Sequence, residues 1–296
     1  MKIGISFSGI GGNNGADYVA DYLSHAALIS GHDVTLIGGM GSQQEQNIPD
    51  GLDVVIHSSG FGLTPELVES WKKKTKVFVW TANDEVPLFQ EKIGRITNLV
   101  DKHFSYTRMP IFANHLIEYL PLAADHSVYY PIDCKKKYDI AMIGAAHRWR
   151  REFAMKISSH FPNCFFDFSM NKSYYDVNLL YNMTRIIIAP MQDCDQYNQE
   201  AVFGCPCRTF DVPASGAFQL QAYRAGLRDV HEESLLTKIT MPSIRDVDTS
   251  LPIWIHMIND YLSNKQLADE LATQARNDII TKHLYIHRLE KMLSFL

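Results

Sequence analysis

The residues best suited to chemistry lie in one short stretch, Arg208-Thr209-Phe210-Asp211-Val212-Pro213-Ala214-Ser215-Gly216. The Asp211 carboxylate is suited to accept both hydroxyls of a ribose. Arg208, with the free N–H groups that open a helix, suits a diphosphate. Thr209 stands beside that pair, and Gly216 leads the short helix into a buried strand. These residue types alone are equally met by an Arg208–Asp211 salt bridge on a packing helix. A second anion-receiving segment is Ser8-Gly9-Ile10-Gly11-Gly12-Asn13-Asn14-Gly15, set between a strand and a helix, where Gly11, Gly12 and Asn13 can bring backbone N–H groups to a ligand. Its other use is a tight turn. Counted from Gly9, the third glycine of a dinucleotide fingerprint falls on Asn14, and the second strand ends in Leu36-Ile37-Gly38-Gly39 without an acid for a ribose, which argues against a nicotinamide or flavin.

Metal chemistry has little to stand on. No Asp-x-Asp with apolar flanks occurs, Asp193-Cys194-Asp195 sits in loop-like sequence, and Cys205-Pro206-Cys207 lacks a second cysteine pair, so no obligatory metal is expected. Five cysteines, an odd number at uneven spacing, do not read as a disulfide framework. The chain opens on a strand rather than a basic and apolar leader and holds no run long enough to span a membrane, so a cytoplasmic protein is expected. A net charge of -5 argues against a general nucleic-acid coat, although it leaves room for a local basic groove.

The elements that position these residues follow from periodicity. In a chain of 296 residues, 46% hydrophobic, short Val-, Ile- and Phe-rich runs alternate with amphipathic stretches, the pattern of parallel sheets flanked by helices. Strands are predicted at 2–7, 33–38, 53–58, 76–81, 103–107 and 118–122, with a helix over 16–29 stopped by Gly31 and another started by Thr64-Pro65-Glu66. The alternation restarts after the polar Pro131-Ile132-Asp133-Cys134-Lys135-Lys136-Lys137, giving strands at 138–144, 164–169, 185–190 and 217–223. The expected fold is α/β, two tandem Rossmann-like domains over 1–132 and 133–275. A C-terminal helical segment over 276–296 is expected to pack back on the first.

The segment at 208–216 resembles the Arg-x-Phe-Glu-x-x-Ala-x-Gly signature of group 1 glycosyltransferases in the spore-maturation, CgeB-type branch. Further landmarks stand in family order: Trp80-Thr81-Ala82-Asn83-Asp84-Glu85-Val86-Pro87, Tyr119-Leu120-Pro121-Leu122-Ala123-Ala124-Asp125, Ile140-Ala141-Met142-Ile143-Gly144 with its following arginines, and His283-Leu284-Tyr285-Ile286-His287-Arg288. The acid after phenylalanine is Asp211 where the family usually has Glu, and the superfamily's earlier acid falls on Phe203.

That resemblance implies the GT-B arrangement: a nucleotide-sugar donor, expected to be a UDP-sugar, on the second domain, an acceptor on the first, and transfer with retention. Fixed cations aimed at the departing diphosphate lower the barrier, and Arg148, Arg150 and Arg151 are the candidates, Arg150 as the catalytic one. A helix beginning near Trp149 spreads the three around its axis, so one or two face the site and the others are solvated. Asp84 is the candidate acid or base beside the acceptor, with Glu85 its competitor; a helix cap before Pro87 is the plainer use of Asp84. The acceptor is a glycan, a protein or a hydroxymethylated DNA base, and for DNA the lysine triplets 72–74 and 135–137 offer material. The competing functions are a non-catalytic sugar- or nucleotide-sugar-binding protein of the same fold and a nucleotide-sugar epimerase.

Overall fold

A computed structural model of the chain describes residues 1–7, 15–38, 47–59, 62–81, 94–108, 116–145, 147–169, 172–191, 204–244 and 246–296. The chain divides into two compact units: Met1–Ala123 with Leu284–Leu296 and the described part of Glu200–Cys205, and Ala124–Gln199 with Pro206–His283.

In the first unit the β-branched runs form β1 (Lys2–Phe7), β2 (Asp33–Ile37), β3 (Val54–Ser59), β4 (Lys76–Thr81), β5 (Lys102–Ser105) and β6 (Ile117–Tyr119), all parallel, in the order β2-β1-β3-β4-β5-β6. Helix α1 (Gly15–Ile29) follows β1, and Gly31 at φ 77° turns the chain out of it. Helix α2 (Pro65–Lys72) starts where the Leu67 N–H donates to Thr64 Oγ1 at 3.3 Å. Strands β5 and β6 end two or more residues earlier than predicted. Strand β5 stops at Ser105 because the Ser105 hydroxyl and the Thr107 backbone bond each other in a local turn. Strand β6 stops at Tyr119 because Pro121 has no N–H, and the Pro121 and Leu122 carbonyls accept from Arg288 instead of a strand.

The second unit holds β7 (Tyr138–Ile143), α3 (Arg148–His160), β8 (Cys164–Asp167), α4 (Tyr174–Asn182), β9 (Thr184–Ala189), α5 (Arg208–Ala214), β10 (Phe218–Ala222), α6 (Glu233–Ile239), β11 (Thr240–Met241), α7 (Val247–Ser263) and α8 (Lys265–Lys282). Its parallel sheet runs β11-β10-β9-β7-β8. The two-residue β11 is too short to announce itself by periodicity. Ile140, Met142, Ile186, Ile188, Phe218 and Leu220 from the strands meet Phe153, Ile157 and Trp254 from the helices in one apolar core.

Both sheets have the same winding: the first strand of each unit lies between the second and the third. In an open parallel sheet the connections leave to opposite faces there, and the crevice at the carboxyl ends of those strands is where ligands bind. In the second unit that crevice lies at the ends of β7 and β9. The C-terminal helix α9 (Tyr285–Leu293) belongs to the first unit, and the preceding α8 to the second. The boundary expected at 275 falls inside α8, whose stripe of Ala268, Leu271, Ala272, Ala275 and Ile279 is buried without a break. The earlier one, expected at 132, falls at Ala123.

Candidate functional site

The site is built on the turn after β7. Gly144 has φ +149°, and a Cβ placed there would lie 2.9 Å from Arg150 Nη1 and 2.9 Å from Arg208 Nη2. A side chain is therefore strained by the backbone conformation and would push aside the two guanidinium ends that close over the glycine. Backbone carbonyls hold both in place: Arg208 Nη1 donates to Ile143 O at 3.1 Å, and Arg150 Nη1 to Ala145 O at 2.7 Å. Arg150 is only 4% exposed, and its Nε has no partner among the described residues. Burial, then the nearby Arg208 charge, push the Arg150 guanidinium down to about 10. Arg208 is lowered chiefly by burial, with Arg224 adding to the shift and Tyr181, Cys207 and Asp211 opposing it. Arg150, at about 10, stays charged at neutral pH. Neither arginine forms an ion pair with a carboxylate among the described residues. Two like charges side by side, one buried and one half-buried, with no carboxylate in ion-pair contact are costly, and a doubly negative group with oxygens for both forks removes that cost.

Of the three arginines on the opening turn of α3, the structure turns Arg150 to this site and leaves Arg148 and Arg151 exposed. The helical phase, unreadable from the sequence to better than a residue, decides between them.

Helix α5 leaves fewer free N–H groups at its start than expected. The chain is already helical at Cys207, so the Thr209 N–H donates to Pro206 O, and the Phe210 and Asp211 N–H groups to Cys207 O, at 2.8 to 2.9 Å. Anion binding there falls to Arg208, chiefly to its side chain. Thr209 is enclosed, and its hydroxyl donates to Gln221 Oε1 at 3.1 Å; beside it Gln219 Nε2 donates to Arg208 O at 3.2 Å. These two glutamines of β10 pin the first turn of α5 and were not marked by sequence reasoning. Their spacing of two on a buried strand was the available signal. Gly216, at φ 74°, ends the helix with its N–H on Pro213 O at 2.8 Å.

Asp211 is 4% exposed, and its Oδ1 is enclosed with no hydrogen-bond partner among the described residues. The Arg208 guanidinium turns to Ile143 O, so the plain Arg208–Asp211 salt bridge does not form. Burial, joined by the Asp125 carboxylate, raises the Asp211 carboxyl well above its ordinary range, with Arg208 opposing. A buried carboxyl held beside another acid, without a partner of its own, is a poor structural element and a ready acceptor.

The remaining candidates Gly11, Gly12, Asn13 and Asp84, with Glu85 and Asp193 to Asp195, lie outside the described residues. Among the described residues no group of three or more His, Cys, Asp or Glu side chains is placed to hold a metal ion, and Cys134, Cys164, Cys205 and Cys207 carry free thiols. The lysine triplets are largely engaged. Lys72 donates to Leu99 O, Lys74 pairs with Asp50 at 2.9 Å, and Lys136 donates to Thr184 O. No helix among the described residues is long and apolar enough to cross a membrane.

Comparison with known proteins agrees with this construction. The sequence model of a glycosyl transferase-like family matches residues 130–294, more than half of the chain and all of the residues at the β7 crevice. No curated protein matches the sequence. Among solved structures, an alpha-glucosyltransferase in complex with UDP and a 13-mer DNA containing an HMU base superposes with a TM-score of 0.66 at 12% identity, covering 100% of this chain and 99% of that one. A pneumococcal O-GlcNAc transferase in complex with UDP and GlcNAc gives 0.54 at 10% identity, over 82% of this chain and 56% of that one. The calicheamicin glycosyltransferase CalG4 gives 0.50 at 10%, over 100% and 98%. At these identities the likeness is one of fold, and it extends through both parallel-sheet units. The chain belongs to the glycosyl transferase-like family and carries the GT-B fold of nucleotide-sugar-dependent glycosyltransferases.

Proposed function

We propose that the chain transfers a sugar from a UDP-sugar to an acceptor hydroxyl, with the donor on the second unit and the acceptor on the first. The observation that carries this reading is the Arg150–Arg208 pair closed over Gly144 without a carboxylate partner among the described residues. In the reaction the bond from the anomeric carbon to the diphosphate oxygen breaks, and its electron pair leaves with the diphosphate. The acceptor oxygen forms the new bond, and its proton passes to the leaving group or to solvent. Charge accumulates on the diphosphate as it departs, so two guanidiniums fixed by backbone carbonyls stabilise the transition state more than the ground state. Arg150 is the catalytic residue in this scheme; Asp211, through Oδ2, accepts the ribose hydroxyls.

UDP is favoured because the alpha-glucosyltransferase and the O-GlcNAc transferase that share the fold were captured with it. The DNA in the alpha-glucosyltransferase complexes makes a hydroxymethylated base the acceptor to try first, before a glycan or a protein. Retention of configuration and placement in the CgeB-type branch rest on the resemblance of 208–216 and on the order of the other landmarks. Gly11, Gly12 and Asn13 are proposed as a loop that approaches the ligand from the first unit and Asp84 as the acid or base beside the acceptor, and no metal is proposed. The test is thermal unfolding against a panel of nucleoside diphosphates and their sugars. UDP at a hundredfold excess over its Kd should stabilise the protein by about 2.7 kcal/mol, and Arg208→Gln should remove the effect. If no nucleotide stabilises the protein at millimolar concentration, the reading is wrong.

A further inference from the structure

Beside the two guanidiniums stands a residue to which neither the family segment nor the chemistry above gives a role. His147 stands just before α3: its N–H donates to Ala145 O at 2.9 Å, and its carbonyl accepts the N–H groups of Arg150 and Arg151, each at 3.1 Å. It is the N-cap of α3, yet its imidazole makes no capping hydrogen bond and is exposed. The same Ala145 carbonyl anchors Arg150, whose enclosed Nε has no partner among the described residues. The imidazole is thus an uncommitted donor on a residue whose backbone N–H shares the Ala145 carbonyl with the Arg150 guanidinium.

We propose that His147 contacts the donor diphosphate and takes up a proton as the donor binds, so that donor affinity is coupled to pH. This rests on the reading that Arg150 and Arg208 receive the diphosphate. In the free protein partial burial, joined by two positive charges, Arg150 from its own helix and Arg208 from α5, holds the ring below the usual histidine range. The ring is then neutral at neutral pH. A doubly negative diphosphate cancels both charges and offers the ring an oxygen acceptor, which favours the imidazolium. The proton comes from solvent and stays on the ring, donated to a phosphate oxygen. A ligand that prefers the protonated form binds tighter as pH falls.

The other groups in reach do not mimic this. Arg150, held at about 10, stays charged through the range. Asp167, at the end of β8, is lowered by Ser169 and Lys172 and is already ionised. Asp211, with Asp125 beside it, works in the opposite sense, since protonating its carboxyl removes an acceptor for the ribose.

The experiment is isothermal titration with UDP-glucose, whose diphosphate diester has no proton to exchange near neutrality. It is run from about pH 6 to about pH 8 in buffers of differing ionisation enthalpy, a range that brackets the ordinary histidine value. The expected result is net proton uptake on binding and an affinity roughly three- to tenfold tighter at the acid end. His147→Asn should abolish the uptake and lose most affinity at the acid end, whereas Asp211→Asn should keep the uptake. Binding without uptake in the wild type, or uptake that survives in His147→Asn, overturns the role of His147 and leaves the donor reading intact. No binding of UDP-glucose or UDP at any pH overturns both.

Discussion

Gly144 concentrates the constraints on the site in one missing methyl group. Gly144→Ala places a carbon 2.9 Å from each guanidinium at φ +149°, so the arginines or the backbone must move. A cost of about 1–3 kcal/mol in stability is expected from backbone strain of this kind, with a loss of UDP affinity larger than that of Arg148→Ala on the exposed face of α3. Calorimetry of both variants checks it; equal losses would mean that Gly144 does not organise the site. Asp211 should show the reverse balance. Its carboxyl is raised above the ordinary 3.8, so the folded state holds the proton more tightly than the unfolded chain. That contribution is present below the unfolded value and is lost as pH rises through the raised one. Asp211→Asn, which never ionises, should therefore melt higher than wild type at neutral pH, each tenfold of proton preference being worth about 1.4 kcal/mol, while binding UDP more weakly. A variant that is less stable at neutral pH would show that the ionised carboxylate is satisfied after all. The identity of both residues was legible in the sequence as a glycine after a strand and an acid three places from an arginine. Their burial was not, because it depends on which neighbours the fold brings in: Arg208 over Gly144, and Asp125 toward Asp211.

At the scale of elements, α5 is a seven-residue helix that works as a mount for Arg208. A helix so short has little stability of its own, and β10 supplies it through Thr209–Gln221 and Gln219–Arg208 O. Thr209→Val keeps the shape and leaves Gln221 Oε1 buried without a donor, a loss of about 1–3 kcal/mol. Thr209→Val with Gln221→Leu removes both partners and should recover part of that stability without recovering donor affinity, since Arg208 then rests on fewer supports. Denaturant unfolding and UDP titration on the same pair of proteins separate the two effects. Additive losses in the double variant would mean that the hydroxyl and the amide do not act as a pair. The helix, its closing Gly216 and the strand after it were foreseen from the sequence. The consumed N–H groups at its start were not, since they follow from the helical conformation already adopted at Cys207, and a Cys-Pro-Cys run does not announce that.

At the scale of the molecule, the restart of strand alternation after residue 137 disclosed two α/β units, and the shared strand order shows each wound around its own first strand. What the alternation could not disclose is where the chain leaves one unit for the other, because α8 and α9 are helical on both sides of His283 and differ only in what they cover. Helix α9 stitches into the first unit: Tyr285 packs its ring 5.3 Å from Tyr22 and 5.8 Å from Trp80, and Arg288 donates to Pro121 O and Leu122 O at 2.7 and 3.0 Å. Those contacts lie far from the β7 turn in sequence and in a different unit. Tyr285→Ala opens a cavity between α1 and β4, and truncating a buried aromatic of this size costs about 3–5 kcal/mol. If α9 serves the first unit's core, amide exchange should quicken in β1, β4 and α1 while β7, β9 and β10 keep their protection, and UDP should still slow exchange around Gly144. Equal loss of protection in both sheets would show instead that the two units unfold as one cooperative body. In that case every substitution in the first unit would weaken donor binding through stability alone, and only affinities compared at matched folded fractions would report on the site.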